Sequence, residues 1–277
     1  MNMLSRVIPL RFPGGKFYAL SRLKLFYSHI EHDDYREPFA GGATVFFAKP
    51  LARHNWLNDI DENLINLYQV MADPSLRERL VSMVSKEVAS KERWREVREM
   101  SPQSPLERAF KYYYMNRTSF SGKLSSPAWG YRPKRSLPPH RWKERIIPCG
   151  KKLENVRLTC LDFSEVIREP KLGKSCLLYV DPPYYSPPKR KHYLSGFEVR
   201  DHLRLEGLLR NTEHRFMLTY DDVQEVRSMY EWAHIYPLTF FYRVDNSNVQ
   251  HGRRRRGSEL VITNCKIPEA RRIEDYA

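Results

Sequence analysis

The sequence predicts an α/β protein in which a mostly parallel sheet is interrupted by a mainly helical insertion. Three observations carry that prediction. Short apolar runs alternate with segments of helical spacing at both ends of the chain. Between about residues 62 and 150 the strand-like runs drop out and only helical spacing remains. Finally, Leu177-Leu178-Tyr179-Val180 is a continuous apolar run, of the kind buried on both faces of a parallel sheet, and Asp181-Pro182-Pro183 stops it abruptly. The expected division is therefore a sheet domain made of 1–61 and 151–277, and an insertion over 62–150.

At 277 residues and 41% apolar composition the chain can bury a core of enzyme size. A formal charge of +14 and a pI near 9.6 point to a polyanionic partner, because clustered Lys and Arg release counterions from phosphates. Cys149, Cys160, Cys176 and Cys265 lack close pairing or ligand spacing and read as reduced, mostly buried thiols. His29 and His32 have no other ligand near them, so no metal site is expected. The absence of a long apolar run or signal peptide leads us to expect a cytoplasmic protein, with no membrane partner.

Taken in order, Arg11-Phe12-Pro13-Gly14-Gly15-Lys16 precedes a helical pattern in Tyr18, Leu20, Leu23, Leu25 and Phe26. Two glycines let backbone approach a ligand, and a lysine opening a helix can reach its anionic groups; a simple turn fits the same residues. Tyr35 to Phe47 then reads as strand, glycine turn and helix, the first βα unit of a Rossmann-like sheet, with Glu37, Pro38, Phe39, Ala40, Gly41 and Gly42 at the turn. Asp59, ending the next apolar segment beside Ile60, stands 18 positions after Gly41 and can accept from ribose hydroxyls or cap the helix that follows.

The insertion carries helical spacing in Leu64, Leu67, Val70 and Met71, again in Leu76, Leu80, Met83 and Val84, and then through Arg93 to Val97. At its centre, Phe110 to Lys123 mixes aromatics, amides and cations, and leads into a polar stretch with Trp129, Tyr131, Arg132, Lys134 and Arg135. That mixture suits phosphates and base edges, while some of Tyr112 to Tyr114 must pack the interior. Val156 to Asp162 resumes the sheet, with Ser164 expected to cap the next helix.

After Asp181 the prolines remove two N–H groups and leave the Pro182 carbonyl stiffly placed as an acceptor. With the ring of Tyr184 they make a receptor for a planar group carrying an amine, such as adenine or cytosine. The rest alternates again: a helix over 199–211, a strand over 216–220, a helix from 222, and two strands, 236–244 and 259–263. The last two flank Asn246, Asn248 and the run Arg253, Arg254, Arg255 and Arg256, either a solvated loop or a set of phosphate contacts.

Asp181-Pro182-Pro183-Tyr184 resembles the catalytic motif of amino-group DNA methyltransferases. Joined to Pro38-Phe39-Ala40-Gly41-Gly42 and to Asn116-Arg117-Thr118-Ser119-Phe120-Ser121-Gly122, it resembles the Dam-type (D12 class, alpha-group) DNA adenine-N6 methyltransferases. The likeness runs from Pro9 to Asn264. It implies a Rossmann-like, S-adenosylmethionine-dependent methyltransferase sheet of seven strands with a helical target-recognition insertion, acting on double-stranded DNA and hence nucleoid-associated. By the same resemblance, Asp181, Pro182, Pro183 and Tyr184 are catalytic. Phe12, Gly14, Gly15, Lys16, Glu37 to Gly42, Asp59, Ile60, Asp162, Phe163 and Asp181 hold S-adenosylmethionine, Asp162 accepting from its adenine amine. Phe12 stands where many relatives carry Trp. Asn116, Arg117, Ser119, Lys123, Arg132, Lys134, Asn246, Asn248 and Arg253 to Arg256 face DNA. Cytosine N4, RNA or a protein amide are rival substrates of the same receptor, and a catalytically silent DNA-binding relative is a rival of another class. Target sequence, a cognate restriction nuclease as partner and oligomeric state stay open.

Overall fold

A computed structural model describes residues 7–12, 14–185, 197–241 and 256–268. Its strands are β1 (Asp34–Glu37), β2 (His54–Asn58), β3 (Arg157–Thr159), β4 (Cys176–Val180), β5 (Arg215–Asp221), β6 (His234–Phe241) and β7 (Arg256–Thr263). They form one mixed sheet in the order β3-β2-β1-β4-β5-β7-β6. β1 to β5 run parallel, while β7 lies antiparallel between β5 and β6. The predicted seven-stranded, mostly parallel Rossmann-like sheet is therefore present.

Chain direction decides where the site must be. From β1 the chain winds outward through β2 to β3, and from β4 it winds the other way to β5. The crevice at the switch lies at the carboxyl ends of β1 and β4. Those two strands end at Glu37 and Val180, so the glycine turn and Asp181 open onto the same crevice.

Every residue of β4 is buried, as its unbroken apolar run requires. Its side chains alternate between two cores. Leu177 and Tyr179 face a core shared with α1 (Leu20–His29) and α2 (Thr44–Ala48). Cys176, Leu178 and Val180 face a second core, shared with α8 (Phe163–Arg168), α9 (Val199–Arg210) and α10 (Gln224–Met229).

The segment expected to be helical carries α3 (Glu62–Ala72), α4 (Pro74–Ser85), α5 (Lys91–Glu99), α6 (Pro105–Thr118) and α7 (Lys143–Leu153) with no strand between them, though the stretch between α6 and α7 is irregular apart from two 3-10 turns. Its core is continuous with the first sheet face, which joins Leu64, Tyr113 and Trp142 to Tyr35 and Leu57. α6 is the buried centre. Ser104 caps it, and Tyr113 and Tyr114 both set ring edges against Trp142, at 5.7 and 5.8 Å.

Local expectations needed correction at four places. Asp59 caps no helix; Asp61 does, accepting from the N–H groups of Asn63 and Leu64. Ser164 lies inside α8, which Asp162 caps. An aspartate with extended φ/ψ reaches back to the first turn in both cases, whichever apolar residue follows. Leu25 is exposed, because α1 buries the stripe formed by Leu20, Leu23 and Phe26 and turns Leu25 away from it. Cys160 is exposed rather than buried, while Cys149 and Cys176 are buried as expected.

Candidate active site

Glycines and an asparagine shape the crevice. Gly41 has φ of +46°, and a side chain there or at Gly42 would strike Phe12, at 2.9 Å in each case. The two glycines thus seat Phe12, and with it the N-terminal loop, against the end of β1. Asn58, at the end of β2, donates to the carbonyls of Pro38 and Leu161, at 3.0 Å each, and accepts from the Leu161 N–H at 2.8 Å. One buried amide therefore fixes the loops after β1 and β3.

These loops enclose a cavity of about 270 Å³. Every residue assigned to a cofactor from the sequence lines it, from Phe12 and the glycines 14, 15, 41 and 42 to Asp162 and Asp181. The exposed Ile60 stands at its edge. At one end Phe39, Phe163 and Phe197 pack ring to ring, with centroids 5.1 to 5.8 Å apart. Acids mark the rest. Asp59 accepts from the Gly41 N–H at 2.8 Å and the Asp61 N–H at 3.0 Å, and burial raises its carboxyl to about 6. Glu37 is buried and accepts from the Tyr35 hydroxyl and the Phe46 N–H; burial raises it to about 8. Asp162 accepts from Ser164 N–H and from Arg204 at 2.6 Å; burial would raise its carboxyl, but those bonds outweigh it and hold it below the usual range.

Asp181 lines the cavity as well. Its Oδ1 accepts from Lys16 Nζ at 2.6 Å and from Thr219 Oγ1 at 2.8 Å, and its Oδ2 accepts from the same ammonium at 2.9 Å. Lys16 is buried, also donates to the Gly14 carbonyl, and lies 5.0 Å from the centre of the Tyr184 ring. The lysine expected to reach a ligand thus first reaches the strand-end carboxylate. The Asp181 side chain remains 20% exposed, so its oxygens are still open to a further donor. Thr219 on β5 was missed, since a threonine inside a strand pattern carries no signal of its own.

The insertion supplies part of the wall through Tyr112, Lys123 and Leu124, and here the structure corrects the sequence reading. Asn116 is 1% exposed, and its amide is committed to backbone: Oδ1 accepts from the Arg11 N–H, and Nδ2 donates to the carbonyls of Arg11 and Gly122. Ser119 is fully buried under the indole N–H of Trp94. Arg117 is buried as well, with Nε unpartnered among the described residues. A helix whose polar residues fall on its packed side turns them inward whatever their chemistry. Arg132 and Lys134 are exposed, on the chain beyond an antiparallel bridge between Ser119 and Trp129. Asn246, Asn248 and Arg253 to Arg255 lie outside the described residues, and Arg256 is described only as the first backbone position of β7. No group of residues able to hold a metal ion, and no helix long and apolar enough to cross a membrane, occurs among the described residues.

A doubly wound sheet with Asp181-Pro182-Pro183-Tyr184 at the carboxyl end of its central strand, over a cavity built from the preceding βα turns, defines a Rossmann-like methyltransferase. The chain belongs to the D12 class N6 adenine-specific DNA methyltransferases, whose family model matches residues 12–243. It is 25% identical over 233 residues to the Type II methyltransferase M.CviBI of Paramecium bursaria Chlorella virus NC1A, covering 80% of this chain and 85% of that one. It is 27% identical over 189 residues to the DNA adenine methylase of Salmonella typhi, covering 63% of this chain and 64% of the relative. To the DNA N-6-adenine-methyltransferase of Escherichia phage P1 it is 25% identical over 239 residues, 79% of this chain but 30% of the phage protein.

Proposed function

We propose that this DNA adenine methyltransferase moves the methyl group of S-adenosylmethionine to N6 of an adenine turned out of double-stranded DNA. The observation that carries the reading is Asp181, ionically tied to Lys16 yet open to the cavity, with the Pro182 carbonyl beside it. S-adenosylmethionine supplies an already activated methyl group, so the chain has to bind, align and exclude water rather than form a covalent link.

The lining fits that donor in chemistry. A planar adenine matches the end walled by Phe39, Phe163 and Phe197, with Asp162 as acceptor, and ribose hydroxyls match Asp59. Asp181 and the Pro182 carbonyl accept from the two N–H groups of the target amine, which favours a pyramidal nitrogen with its lone pair free. Lys16 and Thr219 hold the carboxylate still while it does so. Tyr184 offers its ring to a base that has left the stack. Residues 62–150 serve as the target-recognition domain, and the exposed Arg132 and Lys134 contact phosphates.

The test is modified-base sequencing of genomic DNA from a host expressing the chain, beside transfer of labelled methyl from S-adenosylmethionine to duplex DNA in vitro. N6-methyladenine at one defined sequence is the expected result. N4-methylcytosine, methylated RNA without methylated DNA, or duplex binding with no transfer would each overturn it.

A further inference from the structure

Glu259 lies on β7 between β5 and β6, 2% exposed, opposite Asp221 and Leu238. It shares a strand face with Val261, on the side of the sheet that carries α1. A carboxylate in that place is costly unless it is hydrogen-bonded. Its Oε1 receives two hydroxyls, Tyr18 at 2.6 Å and Tyr184, whereas Oε2 has no partner among the described residues. Burial raises the carboxyl above its usual range, with the charge of Lys16 and the two hydroxyls opposing.

The two tyrosines come from distant parts of the chain and meet at this carboxylate. Tyr18 ends the turn that begins at Lys16, and Tyr184 ends the motif that begins at Asp181. Lys16 joins the same two segments by its bond to Asp181 and lies over the Tyr184 ring. We propose that Glu259 is the positioning residue of Tyr184: it holds the hydroxyl from behind, so that the ring keeps one place beside Asp181 for the target base. A swing of the ring about the Cα–Cβ bond carries the hydroxyl away and breaks the bond to Oε1, and Tyr18 keeps the carboxylate from following it. Glu259 touches neither donor nor base and acts through the tyrosine.

The inference rests on Asp181 to Tyr184 being the target-base site. Once sequencing has identified the methylated adenine, a duplex with 2-aminopurine in its place reports how the extruded base is held. Tyr184→Phe keeps the ring and removes the hydroxyl. It and Glu259→Ala are each expected to lower kcat on the order of 10- to 100-fold and to change the fluorescence alike, with affinity for S-adenosylmethionine unchanged. The double variant is expected to be no slower than the slower single one, because both changes remove the same bond. Glu259→Gln keeps a carbonyl acceptor and is expected to recover most of the rate; Tyr18→Phe has a smaller effect than either. If Glu259→Ala does not fold, Tyr184→Phe, Glu259→Gln and Tyr18→Phe carry the comparison. Wild-type kcat and fluorescence in Tyr184→Phe, or losses that multiply in the double variant, would overturn the assignment. Neither outcome touches the methyltransferase reading, which wild-type transfer to DNA decides separately.

Discussion

Asn116 and Asp181 both stand near the carboxyl end of a buried element, and each is a polar residue that opens a motif. Their partners separate them. The Asn116 amide is tied to three backbone groups in the interior, while Asp181 is tied to two side chains at the wall of a cavity and stays partly exposed. A polar group locked to backbone holds a loop in place. One held by side chains beside open space can exchange or add a partner, which makes it available to chemistry.

The sharpest way to break this contrast is at Asp181. Asp181→Asn keeps an acceptor for Lys16 and is expected to reduce single-turnover methyl transfer on the order of 10²–10³-fold in a folded protein. Asp181→Ala is a poorer probe, because it strands the buried ammonium of Lys16 and costs stability as well. Near-normal transfer by Asp181→Asn would remove the carboxylate from the mechanism.

Lys16→Met comes next. With the ammonium gone, Asp181 keeps only Thr219 among its described partners, so kcat is expected to fall about 10- to 100-fold. If only the affinity for S-adenosylmethionine changed in titration calorimetry, Lys16 would serve the donor and not Asp181.

Asn116→Ala probes the other side of the comparison. Losing three buried hydrogen bonds is expected to cost about 2–3 kcal/mol in denaturant unfolding while the folded fraction keeps its site preference. Relaxed preference at one base pair, measured on a panel of site variants, would restore Asn116 to base reading. Replacing Arg132 and Lys134 together by Ala is expected to weaken binding to all duplexes alike and to reduce the log–log salt slope by about 2. An unchanged slope would take both away from the phosphates.

A last test concerns Glu37. Its carboxyl titrates near 8 when folded, against about 4.5 when exposed, so the folded chain binds the extra proton between those values and loses stability as pH rises through them. Glu37→Gln keeps the acceptor for Tyr35 and Phe46 and cannot ionise. Thermal unfolding across that window should therefore decline less with pH in the variant than in the wild type; parallel profiles would show that Glu37 does not titrate there.

How much could be read in advance follows from what a side chain's identity encodes. The buried run of β4 and its proline stop announce both a strand and its end, and the glycine turn with Asp59 announces the crevice. Direction is a different matter. Tyr112 to Tyr114 and Asn116 to Ser119 look equally suited to DNA and to an interior, and only the packing of α6 sends them inward. Asn58, Thr219 and Glu259 act across gaps of many residues, so no local pattern brings them together with the loops they hold. Glu259 alone left a trace, a charge heading the apolar run Leu260 to Ile262.

The place of β7 bears on how the protein is made. Among the described residues it is the last strand in sequence, yet it fills the gap between β5 and β6, and it is the partner through which β6 joins the sheet. During synthesis β1 to β5 can associate as they emerge, while β6 must wait with one edge of β5 uncovered. Glu259 arrives with that closing strand. A ribosome-bound chain can thus bring the loops after β1, β2 and β3 together before it holds the carboxylate that the Tyr18 and Tyr184 hydroxyls share.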